Sequence, residues 1–141
     1  MSQVVSKYAK QAIMDGSVDL DTDDIRIILC DNTSTTTGFD GYQYVSDATA
    51  GNVVEFDGGA SRIALSSKTI DLDGTTAVMN ATATFTALTA GTNPIRYVVV
   101  YKHVGADSVN PVISINGYSA DQTPNGNDFL VNPSQGFLRL S

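Results

Sequence analysis

The chain is poor in most of the residues that do chemistry. Its 141 residues include one cysteine, Cys30, one histidine, His103, one glutamate, Glu55, and no tryptophan. A lone cysteine excludes an intrachain disulfide. Cys30 ends the apolar run Ile25-Arg26-Ile27-Ile28-Leu29-Cys30 and is expected as a buried small hydrophobe rather than a nucleophile. A thiol or serine nucleophile needs an oriented imidazole, and His103 is the single one on offer, at the exit of a strand beside Lys102. Glycosidase chemistry needs two carboxylates across a cleft, yet most aspartates sit in turn contexts such as Asp57-Gly58 and Asp73-Gly74. Zinc lacks ligands, and Gly58-Gly59-Ala60-Ser61-Arg62 reads as a hairpin turn rather than a phosphate loop. No catalytic residue, cofactor or metal is therefore expected.

Charge is scarce as well. Asp, Glu, Lys and Arg make up 16% of the chain, and the net charge is −7. The eight basic residues are scattered, so there is no clustered surface for phosphates, and nucleic acid is not expected as a direct partner. No apolar run approaches the length of a membrane-spanning helix. The opening Met-Ser-Gln-Val-Val-Ser-Lys has no apolar core of a signal peptide. With the lone cysteine, this leads us to expect synthesis in a reducing cytoplasm and no membrane association.

What the chain has is 42% hydrophobic residues, enough to rule out a compositionally disordered segment. Residues 3–15 carry Val4, Val5, Tyr8, Ala9, Ala12 and Ile13 at three- and four-residue spacing, which predicts a short amphipathic helix stopped by Gly16. The acidic stretch 17–24 has the Asp-x-Asp-x-Asp spacing of a calcium loop. It fails at the positions that demand Gly and Glu, occupied by Asp24 and Cys30, and reads as a turn-forming connector. The densest apolar run, Tyr97-Val98-Val99-Val100-Tyr101, has the composition of a strand covered on both faces. Pro94 opens that strand, and a second begins at Val112 after Pro111, so 94–115 is expected as the hairpin at the centre of a sheet.

Further strands are predicted at 25–31, 52–56, 61–65, 68–73, 76–80, 82–86, 128–131 and 137–140. A short helical turn is predicted at 42–48, and a long loop from Asn116-Gly117 through 121–127. The spacing predicts one mainly β domain over 1–141, with an N-terminal helix at 1–16 and a β domain at 25–141. Its expected form is a β-sandwich or jelly-roll-like antiparallel fold. No α-crossovers separate the later strands, which argues against a parallel sheet.

The order of these features resembles a family. Ser6-Lys-Tyr8-Ala-Lys-Gln-Ala-Ile13 closes on Asp15-Gly-Ser-Val-Asp-Leu20 and runs into Asp21-Thr-Asp23-Asp24-Ile25-Arg-Ile27-Ile-Leu29. Later come Ser67-Lys-Thr69, Arg96-Tyr-Val-Val-Val100-Tyr-Lys102-His, Asn110-Pro-Val-Ile113 and Thr123-Pro124-Asn125-Gly126-Asn127-Asp128. This series is similar to the small virion structural proteins of tailed bacteriophages, with a gap at 32–60. The chain departs at 126–128, where the family often has paired glycines. The resemblance implies a non-enzymatic capsid decoration (cement) protein on the capsid surface. It would be made in the host bacterial cytoplasm and would contact the major capsid protein and other virion subunits as a homo-oligomer, a trimer by preference. A head–tail connector or tail component is the alternative within the virion.

On that reading, the helix and the acidic connector are the expected contact elements, with Tyr8, Ile13, Asp21 and Asp23 as candidate interface residues. A carbohydrate-binding module is the rival of another class. It would use the loop aromatics Tyr42, Tyr44 and Tyr118, although for each of them core or subunit packing is the plainer expectation.

Overall fold

A computed structural model describes residues 2–141. The chain is mainly β, with 43% of residues in strands and 13% in helices. Two antiparallel sheets share a core, in a β-sandwich-like arrangement. The elements are β1 (Ser2–Val5), α1 (Lys7–Asp15), β2 (Ile25–Asp31), a 3-10 turn (Phe39–Gly41), α2 (Val45–Ala50), β3 (Arg62–Ala64), β4 (Ser66–Asp73), β5 (Thr76–Phe85), β6 (Ile95–Lys102), β7 (Val112–Gln122), β8 (Phe129–Val131) and β9 (Leu138–Leu140). The first sheet has the order β1-β7-β6-β2-β3. The second has β4 on one edge of β5, with β8 and β9 following one another along its other edge.

The expected central hairpin is present as β6 and β7, which run antiparallel with Val99 opposite Ile115. Burial on both faces follows from alternation. Ile25, Ile27 and Leu29 of β2 and Val98 and Val100 of β6 face the second sheet, where they meet Met79, Ala83, Phe85, Val131 and Leu138. Ile28, Cys30, Val99 and Tyr101 face the other way, under a roof of Phe39, Val45, Ala48 and Val53. That roof is the loop-rich segment 32–56, so the first sheet is the middle of three layers. Fully burying each large apolar side chain contributes roughly 1.5–3 kcal/mol, so these two clusters dominate the stability.

Several expected boundaries move, each for a local reason. The helix begins at Lys7, not at residue 3. Ser2–Val5 pair with β7 instead, Val4 opposite Ile115. β-Branched Val4 and Val5 favour the strand, and Ser6 takes the extended conformation of an N-cap, with φ −62° and ψ 137°. Its backbone N–H donates to Ile113 O at 3.0 Å. Gly16, with φ 82°, ends the helix as expected. The strands expected at 76–80 and 82–86 form a single strand, β5. Residues 52–56 form no strand and make only an isolated bridge, Glu55 to Cys30.

β7 continues through Asn116-Gly117 to Gln122. Gly117 is not a turn residue. A Cβ there would lie 2.8 Å from Ser2 Oγ and 3.1 Å from the Tyr97 ring, so glycine permits close approach of three strands. β3 and β4 are separated by one residue, the buried Leu65, where the chain passes from one sheet to the other. Ser67, at φ 53°, lies in the register shift at the start of β4 that makes this corner.

Candidate functional site

Cys30 and His103, the residues with nucleophile and base chemistry, lie apart. Cys30 is fully buried, and burial pushes its thiol well above the ordinary range. It pairs with Tyr97, whereas His103 lies beyond the opposite end of β6, so thiol and imidazole are not brought together. The His103 backbone N–H donates to Asp24 O at 2.8 Å. Glu55 and Asp107 both face Arg62, at 2.7 Å each. The Arg62 guanidinium also lies 5.7 Å from the centre of the Tyr101 ring. The guanidinium holds both carboxyls below their ordinary range, Glu55 despite being half-buried. This is a staple between the edge strand β3 and the 105–109 loop. Among the described residues, no three His, Cys, Asp or Glu side chains are grouped so as to hold a metal ion. Nor is any described helix long and apolar enough to cross a membrane.

Of the aromatics expected in loops, Tyr118 lies instead within β7, and it and Tyr42 are packed. Tyr42 packs on the second cluster and meets Phe39 edge-on at 5.8 Å. Tyr118 packs against the inter-sheet core, and burial pushes its hydroxyl up to about 12.

The four expected interface residues do not form one site. Tyr8 is 36% exposed and lines a groove of about 340 Å³ with Gln43, Tyr44 and Pro111. Ile13 lies on another side of α1 and packs partly against the core. It lines a second groove, of about 370 Å³, together with Asp21. Asp23 belongs to neither groove. Its carboxylate accepts the Asp19 backbone N–H at 2.8 Å and an ion pair from Lys102 at 3.0 Å. Those contacts hold it below the ordinary carboxylate range, the Asp19 amide first and Lys102 next. Lys102 Nζ also donates to Ser17 O and Lys68 Nζ to Asp23 O, both at 2.9 Å. The acidic connector is therefore tied onto the end of the sandwich rather than held out as a free arm.

The Ile13–Asp21 groove is where the fold leaves apolar surface open. On the inner face of the second sheet, Ile70 stands opposite Met79 and Leu72 opposite Ala77, with Leu138 and Leu140 beyond them. The Met79–Leu138 end is covered by the first sheet, both residues being 1% exposed. Toward the Asp73-Gly74 turn the cover runs out. Ile70 is 47% exposed, Leu72 80%, and Met14, on the last turn of α1, 90%. The groove is floored by Ile70, Ala77 and Leu140, walled by Ile13 and roofed by 18–21. Single exposed apolar residues are ordinary, but a contiguous set on one face marks a contact surface.

β4 borders this groove and is the free edge of its sheet. It is eight residues long, and almost every residue is exposed. Its far side presents unpaired backbone N–H and C=O groups, the arrangement that templates another strand. Sequence reasoning missed Ile70 and Leu72. Their alternation with Asp71 and Asp73 was visible, but which face stays uncovered depends on strand order.

No family model matches the chain, and neither a curated protein nor a solved structure matches it.

Proposed function

We propose that the protein is a non-enzymatic structural subunit that works by contact, specifically a tailed-phage capsid decoration protein bound to the head shell. The observation that carries this reading is the open apolar surface at Ile13, Met14, Ile70 and Leu72 beside the unpaired edge β4. The resemblance in the order of motifs, from Ser6–Ile13 to Asn110–Ile113, supplies the virion setting. The mechanism is mass action. Each copy that buries surface against neighbouring shell subunits stabilises the assembled state and not the free subunits. A stable contact buries roughly 1,600 Å² in total and draws most of its energy from a few anchors. Exposed Leu72 and Met14 are suited to anchor the contact with the major capsid protein. The Tyr8 groove, with Tyr44 and Pro111, is suited to contacts within a homotrimer.

The test is reconstitution. Purified protein is mixed with shells of the encoding phage from which it has been omitted, and co-sedimentation and shell melting are measured. Saturable binding and a higher shell melting temperature are expected. No binding, or binding confined to tails, overturns the decoration assignment.

A further inference from the structure

We propose that the free edge of β4 takes an extended segment of a partner protein as an added strand. That segment carries alternating apolar side chains on the groove side and at least one Lys or Arg facing the Asp19–Asp21 pair. This names the partner chemistry of the contact surface and rests on reading the protein as a contact-making subunit.

The backbone argues for a strand. β4 is paired only along the side facing β5, and its eight residues offer a ledge about 26 Å long at ~3.3 Å per residue. The side chains argue for alternation. A strand laid along β4 continues the inner face on which Ile70 and Leu72 stand, at the mouth of the groove lined by Ile13, Leu20 and Leu140. Every second residue of the newcomer would cover exposed Leu72 and Ile70, while the rest point to the solvent face with Asp71 and Asp73.

Charge argues for a basic partner and against a second copy of this chain. Asp19 and Asp21 line the groove. The two carboxyls act on each other, Asp19 raising Asp21 above the ordinary carboxylate range and Asp21 lowering Asp19. A cation placed beside both carboxylates favours their charged forms. The chain's own cations nearby leave the pair short of positive charge. Arg139 holds Asp73 at 2.8 Å, and Lys68, which lowers Asp21 only in part, is tied to the Asp23 carbonyl. A two-fold β4–β4 pair centred on Leu72 would set Asp71 against Asp73 of the other copy, one centred on Asp71 would set it against its own equivalent, and one centred on Ile70 would set the exposed Leu72 against Lys68. The acidic rims and the net charge of −7 would oppose one another as well.

The experiment uses the full chain and capped peptides about as long as β4, with amide hydrogen exchange as the readout. The first peptide alternates Val and Lys. The second has Glu in place of Lys. The third is the Val/Lys peptide with every backbone nitrogen methylated, so that neither of its edges can donate to β4. With the first peptide, exchange of the outward β4 amides is expected to slow by about tenfold or more at saturation, and with the other two it is not. Leu72→Asp is expected to weaken binding by about tenfold with an unchanged circular dichroism spectrum, because Leu72 is 80% exposed.

Equal effects of the methylated peptide, or no effect of any peptide, overturn the added strand. Slowing of β4 exchange with protein concentration alone overturns the choice of partner in favour of a second copy. The two proposals fail separately. Peptide binding at β4 without shell binding overturns the capsid assignment alone. Full shell binding by Leu72→Asp, with no peptide effect, overturns the β4 inference and Leu72 as an anchor, while the shell binding itself still supports the capsid assignment.

Discussion

Replacing Arg62 with alanine probes the staple that closes the sandwich edge. Its guanidinium makes four charge-assisted hydrogen bonds, to both oxygens of Glu55 and both of Asp107. The three side chains are 28%, 32% and 37% exposed, between a surface pair and a buried one. Exposed ion pairs contribute about 0.2–1 kcal/mol, and breaking a buried one costs about 3–5 kcal/mol. An intermediate site with two partners predicts a loss of about 2 kcal/mol at pH 7, or roughly 6 °C in Tm for a chain of this size. Both carboxyls lie below their ordinary range when folded. Their contribution is therefore fully present above the unfolded values, near ~4.3 for Glu and ~3.9 for Asp, and is lost as pH falls through the lower folded values. The gap between wild type and Arg62→Ala should accordingly narrow as pH drops below about 4. Urea unfolding followed by far-ultraviolet circular dichroism measures this, since the chain has no tryptophan to report by fluorescence. A gap under about 0.5 kcal/mol at neutral pH, or one that stays constant on acidification, would refute the reasoning.

Three further substitutions or treatments have defined outcomes. Ser114 Oγ is buried without a hydrogen-bond partner, so Ser114→Ala should leave stability unchanged or raise it by up to about 1 kcal/mol, and a loss beyond that in urea unfolding contradicts the assignment. Gly136 has φ 79°, and a Cβ there would lie 2.8 Å from Met79 O, so Gly136→Ala should lower stability by about 2 kcal/mol or more in thermal unfolding, with wild-type stability contradicting this. Cys30 should resist an aromatic disulfide reagent in the native state and react at once in denaturant, because its thiol is buried and protonated. Rapid native labelling would place it elsewhere.

The parts of the fold legible in the sequence were those whose burial is written locally. The run 97–101 announced a strand covered on both faces, and Gly16 announced the end of α1. Residues whose partners are distant in sequence were less legible. Val4 and Val5 fit a helical stripe as well as a strand, and only pairing with β7 decides between them. Gly117 reads as a turn until Tyr97 and Ser2 are seen to crowd it. The segment 32–56 has no strong periodicity, yet it supplies the roof of the second cluster through Phe39, Val45, Ala48 and Val53. For the candidate site, Ile13 and Asp21 were legible as surface near the helix end, but their meeting in one groove was not. Asp23 looked equally available, and Lys102, far along the chain, engages it. The exposure of Ile70 and Leu72 is a product of sheet order, which composition does not encode.

The proposed function makes the protein a shell-bound subunit. Quantitative mass spectrometry of purified particles of the encoding phage, against the major capsid protein as internal standard, tests that most directly. Copies in a number comparable to the shell protein are expected, lost together with shell stability when the gene is removed. Absence from the particle, or the few copies of a single ring, would contradict the proposed function.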